Sequence, residues 1–206
     1  MTSVPTDGPT AVPSPWNIAN ALTVLRLLLV PVFLMTLFRH GGDDDLWRVL
    51  AWVTFAVASI TDRVDGEIAR KRGLVTDFGK IADPIADKAL IGAALIGLSL
   101  LGQMPWWLTV LILVREVGVT ILRFVVIRHG VMSASRGGKL KTLLQGVGIG
   151  LLVLPLEGFL HRAAWVVMAV AVVVTVVTGM DYVLRASRLR QNSARTASKR
   201  AARRGR

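Results

Sequence analysis

The chain has 206 residues, of which 53% are hydrophobic, and carries a formal net charge of +12 at pH 7. Its mean hydropathy of +0.56 leaves too few polar residues to cover a water-facing surface, which argues against a soluble domain and places the chain in a bilayer. It contains no cysteine, which excludes disulfides and thiolate chemistry.

The first segment, residues 1–16, is rich in Pro, Ser and Thr. It lacks a basic region followed by an apolar stretch, so it does not resemble a cleaved signal peptide. We predict a disordered N-terminal arm.

Six apolar runs follow, and several approach the roughly 20 residues that a helix needs to cross the hydrocarbon core. They lie at 21–38, 49–60, 81–101, 106–127, 143–160 and 164–184. This pattern predicts an all-α integral membrane protein, a six-transmembrane-helix bundle over residues 17–184. The second run is long enough only if it continues through Asp62 and Asp65, which puts both carboxylates on a face turned away from lipid.

The last segment, residues 185–206, is a basic tail with nine Lys or Arg residues and no acid. Such a tail is typical of segments that bind anionic lipid headgroups, each charge contributing on the order of 1 kcal/mol. Nucleic acid is not an expected partner, because no aromatic residues are interleaved with the charges. Lys and Arg concentrate on the connections that share a side with both termini, so the positive-inside rule predicts cytoplasmic termini in a bacterial-type cytoplasmic membrane.

Four aspartates lie where the second run ends and the third begins: Asp62, Asp65, Asp83 and Asp87. The members of each pair are three or four residues apart, so each pair projects from one face of its helix. Ionised carboxylates can share a partly desolvated space only if cations neutralise them, and oxygen-only ligands suit Mg²⁺ or Mn²⁺. The aspartates therefore predict a divalent-metal site near the cytoplasmic leaflet.

Small residues accompany these aspartates. Gly66 and Ala69 leave room for a groove beside the metals. Taken alone, Gly66 is more typical of close helix packing, the common reason for small residues in membrane helices. Arg70, one turn beyond Gly66, is placed to meet an anionic ligand. Gly79 relieves crowding where the chain enters the third helix.

These positions form one template, D-x-x-D-G-x-x-A-R, then eight residues, then G-x-x-x-D-x-x-x-D. The template resembles the signature of the CDP-alcohol phosphotransferase family, with every fixed position filled: Asp62, Asp65, Gly66, Ala69, Arg70, Gly79, Asp83 and Asp87. The resemblance implies a six-helix membrane enzyme, usually a homodimer, that moves a substituted phosphate from a CDP-linked donor to an alcohol and releases CMP.

The same resemblance implies roles for these residues. Two divalent cations, Mg²⁺ or Mn²⁺, would be held by Asp62, Asp65, Asp83 and Asp87. The donor groove would be lined by Asp65, Gly66, Ala69, Arg70 and Gly79. Asp87 is the candidate catalytic residue, a general base for the acceptor hydroxyl.

Three flanking segments resemble one branch of the family, the phosphatidylglycerophosphate synthases. They are 17–26 (NIANALTVLR), Arg115-Glu116 with Arg123, and 138–142 (GKLKT) with Gln145. Ala19 and Ser133 depart from the usual prolines. This resemblance implies CDP-diacylglycerol as the donor, glycerol 3-phosphate as the acceptor, and phosphatidylglycerophosphate and CMP as products.

The phosphate of such an acceptor needs cations of its own, and the candidates are Arg115, Arg123, Lys139 and Lys141. Arg115 could instead form a structural pair with Glu116 or another acid. Lys139 and Lys141 could instead be positive charges that only set the membrane orientation of the chain. Asp181 has no assigned role.

Two other functions remain open. A cardiolipin synthase of the same family would use phosphatidylglycerol as the acceptor. A divalent-cation transporter would also place acids in a membrane bundle, but it would explain neither Gly66 and Ala69 nor a cluster confined to one leaflet edge.

Overall fold

The computed structural model describes residues 18–72, 76–127 and 136–204. The predicted arm at 1–16 lies outside them. Within the described helices, some side chains are outside the description: those of 19, 62–72, 77–81, 83, 84, 87, 123–127, 136–139 and 185–204.

The described residues form six α-helices and one 3₁₀ turn, without a strand among them, which confirms the all-α prediction. The helices are α1 (Ile18–Leu37), α2 (Asp45–Arg72), α3 (Asp77–Leu100), α4 (Trp106–Ile127), α5 (Arg136–Val153) and α6 (Gly158–Arg204), and the 3₁₀ turn is Arg39–Gly42.

The last two helices differ in extent from the apolar runs at 143–160 and 164–184. Helix α5 ends at Val153, because Pro155 lacks a backbone N–H and disfavours helical geometry in the residue before it. Helix α6 has 47 residues, about 70 Å at 1.5 Å per residue. Its backbone therefore runs as helix through the predicted boundary between 184 and 185, and the division into domain and tail stays a prediction.

The helices enclose one apolar core. Helix α1 packs against α2 and α3, while α6 packs against α5 and α4. The buried residues at these contacts include Phe33, Leu37, Ala51, Phe55, Leu95, Leu98, Ile149 and Met168.

Large apolar side chains also cover the outside of the bundle. Met35 is 74% exposed, Val114 66% and Val173 61%. Apolar outer faces of this extent are rare on soluble monomers and are expected on helices that face lipid. Within the described ranges, two segments are long and apolar enough to cross a membrane, Asn20–Leu37 and Gly158–Leu184.

Asp44 begins α2. The backbone N–H of Trp47 donates a hydrogen bond to Oδ1 of Asp44 at 3.2 Å, as an N-cap residue accepts from the first turn of its helix. This hydrogen bond is the main reason that the pKa of Asp44 lies below its usual value.

Arg48 closes the end of the bundle opposite to the four aspartates. Its Nε donates to the carbonyl of Val153 at 2.9 Å, and its Nη2 donates to the carbonyl of Leu152 at 2.8 Å and to Oε1 of Gln103 at 2.7 Å. The last carbonyls of a helix lack partners within the helix. Arg48 satisfies two of them and holds α2 to α5 and to the α3–α4 connection.

Gly148 allows the close approach of α5 and α6. A Cβ atom at this position would lie 3.2 Å from Cα of Met168 and 3.3 Å from its Cε. A backbone neighbour cannot give way as a flexible side chain can, and small residues are what permit membrane helices to pack closely. At Gly146, on the same helix, a Cβ would meet nothing within 4 Å.

We expect Gly148→Ala to lower the midpoint of thermal unfolding by about 2–4 °C, the shift that about 1 kcal/mol produces in a chain of this size. Gly146→Ala is the matched control and should leave the midpoint unchanged or raise it, because alanine has the higher helix propensity. Both can be measured on detergent-solubilised protein. Equal midpoints for the two variants would contradict a close approach at Gly148.

Candidate functional site

The four predicted aspartates lie on two consecutive helices. Asp62 and Asp65 are in the second half of α2, and Asp83 and Asp87 are in the first half of α3. The helices pack against each other and are joined by residues 73–76. The backbone therefore carries both pairs to one end of the bundle, which we call the aspartate end.

The predicted donor-groove residues lie on the same two helices. Gly66, Ala69 and Arg70 occupy the last turns of α2, and Gly79 lies in the first turn of α3. The side chains of these positions and of the four aspartates are outside the description. Their metal-binding and donor-binding roles remain predictions.

Polar residues of α1 point inward at this end. Asn20, Thr23 and Arg26 follow one another at three-residue spacing, which is one face of a helix, and they are 6%, 1% and 0% exposed. Thr76, which precedes α3, donates to Oδ1 of Asn20 at 2.9 Å. The sequence segment that resembles the family opening thus contacts Thr76, which lies in the chain between the two aspartate pairs.

Glu116, in the middle of α4, accepts from cations on three helices. Lys88 Nζ of α3 lies 3.3 Å from Oε2, and Arg115 Nη1 lies 3.1 Å from Oε1. Lys141 Nζ of α5 also donates to Oε1. We call Lys88, Arg115, Glu116 and Lys141 the Glu116 cluster.

The cluster contains an excess of positive charge. Three basic side chains surround one carboxylate, which leaves two positive charges uncompensated within the cluster. Its side chains are only partly accessible: Lys141 is 5% exposed, Glu116 17% and Lys88 33%. Charge buried within an apolar bundle needs a counterion, so the cluster is suited to bind an anion.

Arg115 also has partners on α6. Its Nε donates to the carbonyl of Thr175 at 3.1 Å, and its Nη2 donates to Oγ1 of Thr178 at 2.9 Å. Gly179 leaves room for it, since a Cβ there would lie 3.3 Å from both Cγ and Nε of Arg115. The structural pairing with Glu116 that the sequence left open is therefore present, whereas contact between Arg115 and an acceptor phosphate stays a prediction.

Lys141 shares an inward face of α5 with Gln145, one turn further along. Gln145 is 3% exposed, and its Nε2 has no hydrogen-bond partner among the described residues. Leaving a buried donor unpaired costs about 1–3 kcal/mol. A ligand acceptor atom would remove this cost, and Gln145 belongs to the predicted 138–145 stretch.

The sequence reading missed two parts of this site and predicted two others that the description does not reach. Lys88 received no role, although a lysine inside the third apolar run next to Asp87 was a usable signal. Glu116 was considered only as a partner for Arg115. The side chains of Arg123 and Lys139 are outside the described part of the structure.

The chain is similar to known proteins along most of its length. Residues 16–177 match the family profile described as CDP-alcohol phosphatidyltransferase. A probable phosphatidylglycerophosphate synthase of Mycobacterium tuberculosis is 64% identical over 172 residues, covering 84% of this chain and 82% of the relative. A CDP-diacylglycerol–glycerol-3-phosphate 3-phosphatidyltransferase of Bacillus subtilis is 39% identical over 180 residues, covering 81% and 93%.

A third relative is named for a different activity. The cardiolipin synthase (CMP-forming) of Streptomyces coelicolor is 33% identical over 117 residues, covering 55% of this chain and 53% of the relative. This similarity is both weaker and shorter than the other two.

Proposed function

The chain belongs to the CDP-alcohol phosphatidyltransferase family, and we propose that it transfers the phosphatidyl group of CDP-diacylglycerol to glycerol 3-phosphate, giving phosphatidylglycerophosphate and CMP. The observation that carries the proposal is the 64% identity, over more than four fifths of both chains, to a relative named as a phosphatidylglycerophosphate synthase. The family assignment also removes the support for a cation transporter.

The Glu116 cluster supports this acceptor. A phosphomonoester such as glycerol 3-phosphate carries a charge of about −1.5 to −2 at pH 7, which matches the two excess positive charges of the cluster. Phosphatidylglycerol, the acceptor of a cardiolipin synthase, is a phosphodiester with a single negative charge. The positive excess of the cluster therefore favours the more highly charged glycerophosphate acceptor. The proposed binding residues for its phosphate are Arg115, Arg123, Lys139 and Lys141.

The protein is a membrane protein, and we propose that all six helices span the bilayer. The apolar outer faces of the helices and the charges gathered near the aspartate end support this arrangement. Both termini and the active site would face the cytoplasm by the positive-inside rule. Residues 1–16 would be a disordered arm, 17–184 the catalytic domain and 185–206 a lipid-binding tail. The chain would form a homodimer.

The aspartate end is suited to two divalent cations. Four carboxylates on two neighbouring helices form an oxygen-only donor set, which hard ions such as Mg²⁺ and Mn²⁺ prefer. The ions would be held by Asp62, Asp65, Asp83 and Asp87. Their charge would neutralise the pyrophosphate and the departing CMP.

The remaining residues of the site would position and deprotonate the substrates. Asp65, Gly66, Ala69, Arg70 and Gly79 would line the groove for the cytidine and phosphate groups. Asp87 would accept the proton of the glycerol 3-phosphate hydroxyl. As the hydroxyl oxygen bonds to the lipid-side phosphorus, the bond from that phosphorus to the CMP oxygen breaks, and CMP leaves with the electron pair.

We expect purified protein with Mg²⁺ or Mn²⁺ to release CMP from CDP-diacylglycerol when glycerol 3-phosphate is added, and to release little without an acceptor. Phosphatidylglycerol, serine and inositol phosphate, assayed in parallel, should each support much slower release. Fastest release with phosphatidylglycerol would favour the cardiolipin reaction. No release with any acceptor would refute the enzymatic function.

We expect Asp87→Asn to lower turnover at least about 100-fold, the lower range for loss of a general base, because an amide of nearly the same shape cannot take up the proton. Nucleotide binding, measured as displacement of CDP-diacylglycerol by CDP, should be largely retained. Asp43→Asn, on the exposed connection before α2, is the control and should match the wild type. Near-normal turnover of Asp87→Asn would remove Asp87 from the role of base.

A further inference from the structure

Glu116 uses both carboxylate oxygens to hold cations. Oε1 accepts from Arg115 and Lys141, while Oε2 accepts from Lys88. An acid saturated by three cations is poorly placed to take a substrate proton or to bind a metal. Its position indicates a supporting role, in which it fixes other side chains.

The two lysines that Glu116 holds come from different parts of the bundle. Lys88 follows Asp87 directly on α3, and Lys141 lies on α5 one turn before Gln145, whose buried Nε2 has no partner among the described residues. Glu116 therefore pairs with one ammonium group from α3 and with another from the face of α5 that also carries an unused amide donor. A phosphate can accept hydrogen bonds from two ammonium groups and an amide N–H.

Arg115 contributes in another way. Its guanidinium donates to Glu116, to the Thr175 carbonyl and to the Thr178 hydroxyl. These hydrogen bonds hold α4 against α6 and fix the position of Glu116 along the axis of the bundle. Lys88 and Lys141 each have one described ion-pair partner, so each ammonium group retains N–H donors that a ligand can use.

We propose that Glu116 is a positioning residue for the acceptor site, which holds the Lys88 and Lys141 ammonium groups side by side so that both donate to the phosphate of a phosphomonoester acceptor. This inference rests on the proposed function and deepens it by adding Lys88 to the acceptor site. Without the carboxylate, the two ammonium groups and Arg115 would repel one another at low dielectric and move apart. The acceptor phosphate would then lose its paired donors, whereas the donor groove, formed by the end of α2 and the first turn of α3, would be unaffected.

The test measures CMP release by the full-length protein in mixed micelles, with glycerol 3-phosphate and CDP-diacylglycerol varied in turn. Glu116→Gln should raise the KM for glycerol 3-phosphate at least about tenfold and leave the KM for CDP-diacylglycerol within about twofold. Inorganic phosphate, used as a competitor of glycerol 3-phosphate, should show an inhibition constant raised by a similar factor. Glu157→Gln, the same substitution on an exposed residue before α6, is the control and should change none of these values.

Two further variants separate positioning from general support of the fold. Glu116→Asp restores the charge on a shorter side chain, so its KM for glycerol 3-phosphate should lie between the values of the wild type and Glu116→Gln. Lys88→Gln leaves Glu116 with two cations and should raise the same KM at least about fivefold. Lys88→Gln also keeps the inference testable if Glu116→Gln does not fold, because it removes a side chain that is one third exposed.

The outcomes distinguish the inference from the function on which it rests. Wild-type protein that releases CMP with glycerol 3-phosphate, together with variants whose KM values for both substrates rise equally or not at all, would overturn the positioning role alone. An unchanged phosphate inhibition constant in the variants would do the same. Wild-type protein without acceptor-dependent CMP release would overturn both proposals.

Discussion

An ionised side chain inside a lipid-facing bundle must find a partner of opposite charge, because removing it from water costs several kcal/mol. Glu116 meets this requirement for cations on three helices, and Arg115 extends the network to α6. Breaking such a network by removing one member usually costs more than the network contributes, since a buried charge is left uncompensated. The cluster thus fixes the relative positions of α3, α4, α5 and α6 where the proposed chemistry takes place.

The two ends of the bundle differ in whether their buried polar groups are fully paired. At the end opposite to the aspartates, Arg48 satisfies the last carbonyls of α5 and an amide of the α3–α4 connection, so its hydrogen bonds serve the fold. Toward the aspartate end, the Glu116 cluster retains excess positive charge and Gln145 retains an unpaired donor. Asp87 and Lys88 are neighbours on α3, so this helix joins the proposed metal site to the proposed acceptor site.

Local patterns in the sequence predict what depends on local geometry. The apolar runs locate all six helices, and the spacing of the aspartates assigns each pair to one helix face. The sequence does not reveal that Lys88 pairs with Glu116 across 28 residues, or that Arg115 donates to Thr175 across 60, because such contacts depend on how the helices pack. The apolar pattern does not predict the break at residues 154–157, because Leu154 and Leu156 continue the pattern while Pro155 interrupts the helix.

The central claim is that an acidic metal site on α2 and α3 and a cationic phosphate site around Glu116 act on one pair of substrates. A crystal structure with Mn²⁺, glycerol 3-phosphate and CDP, which has no phosphatidyl group to transfer, tests this inference most directly. We expect anomalous peaks from Mn²⁺ among Asp62, Asp65, Asp83 and Asp87, and the acceptor phosphate within hydrogen-bonding distance of Lys88 and Lys141. Manganese bound elsewhere, or a phosphate away from both lysines, would contradict it.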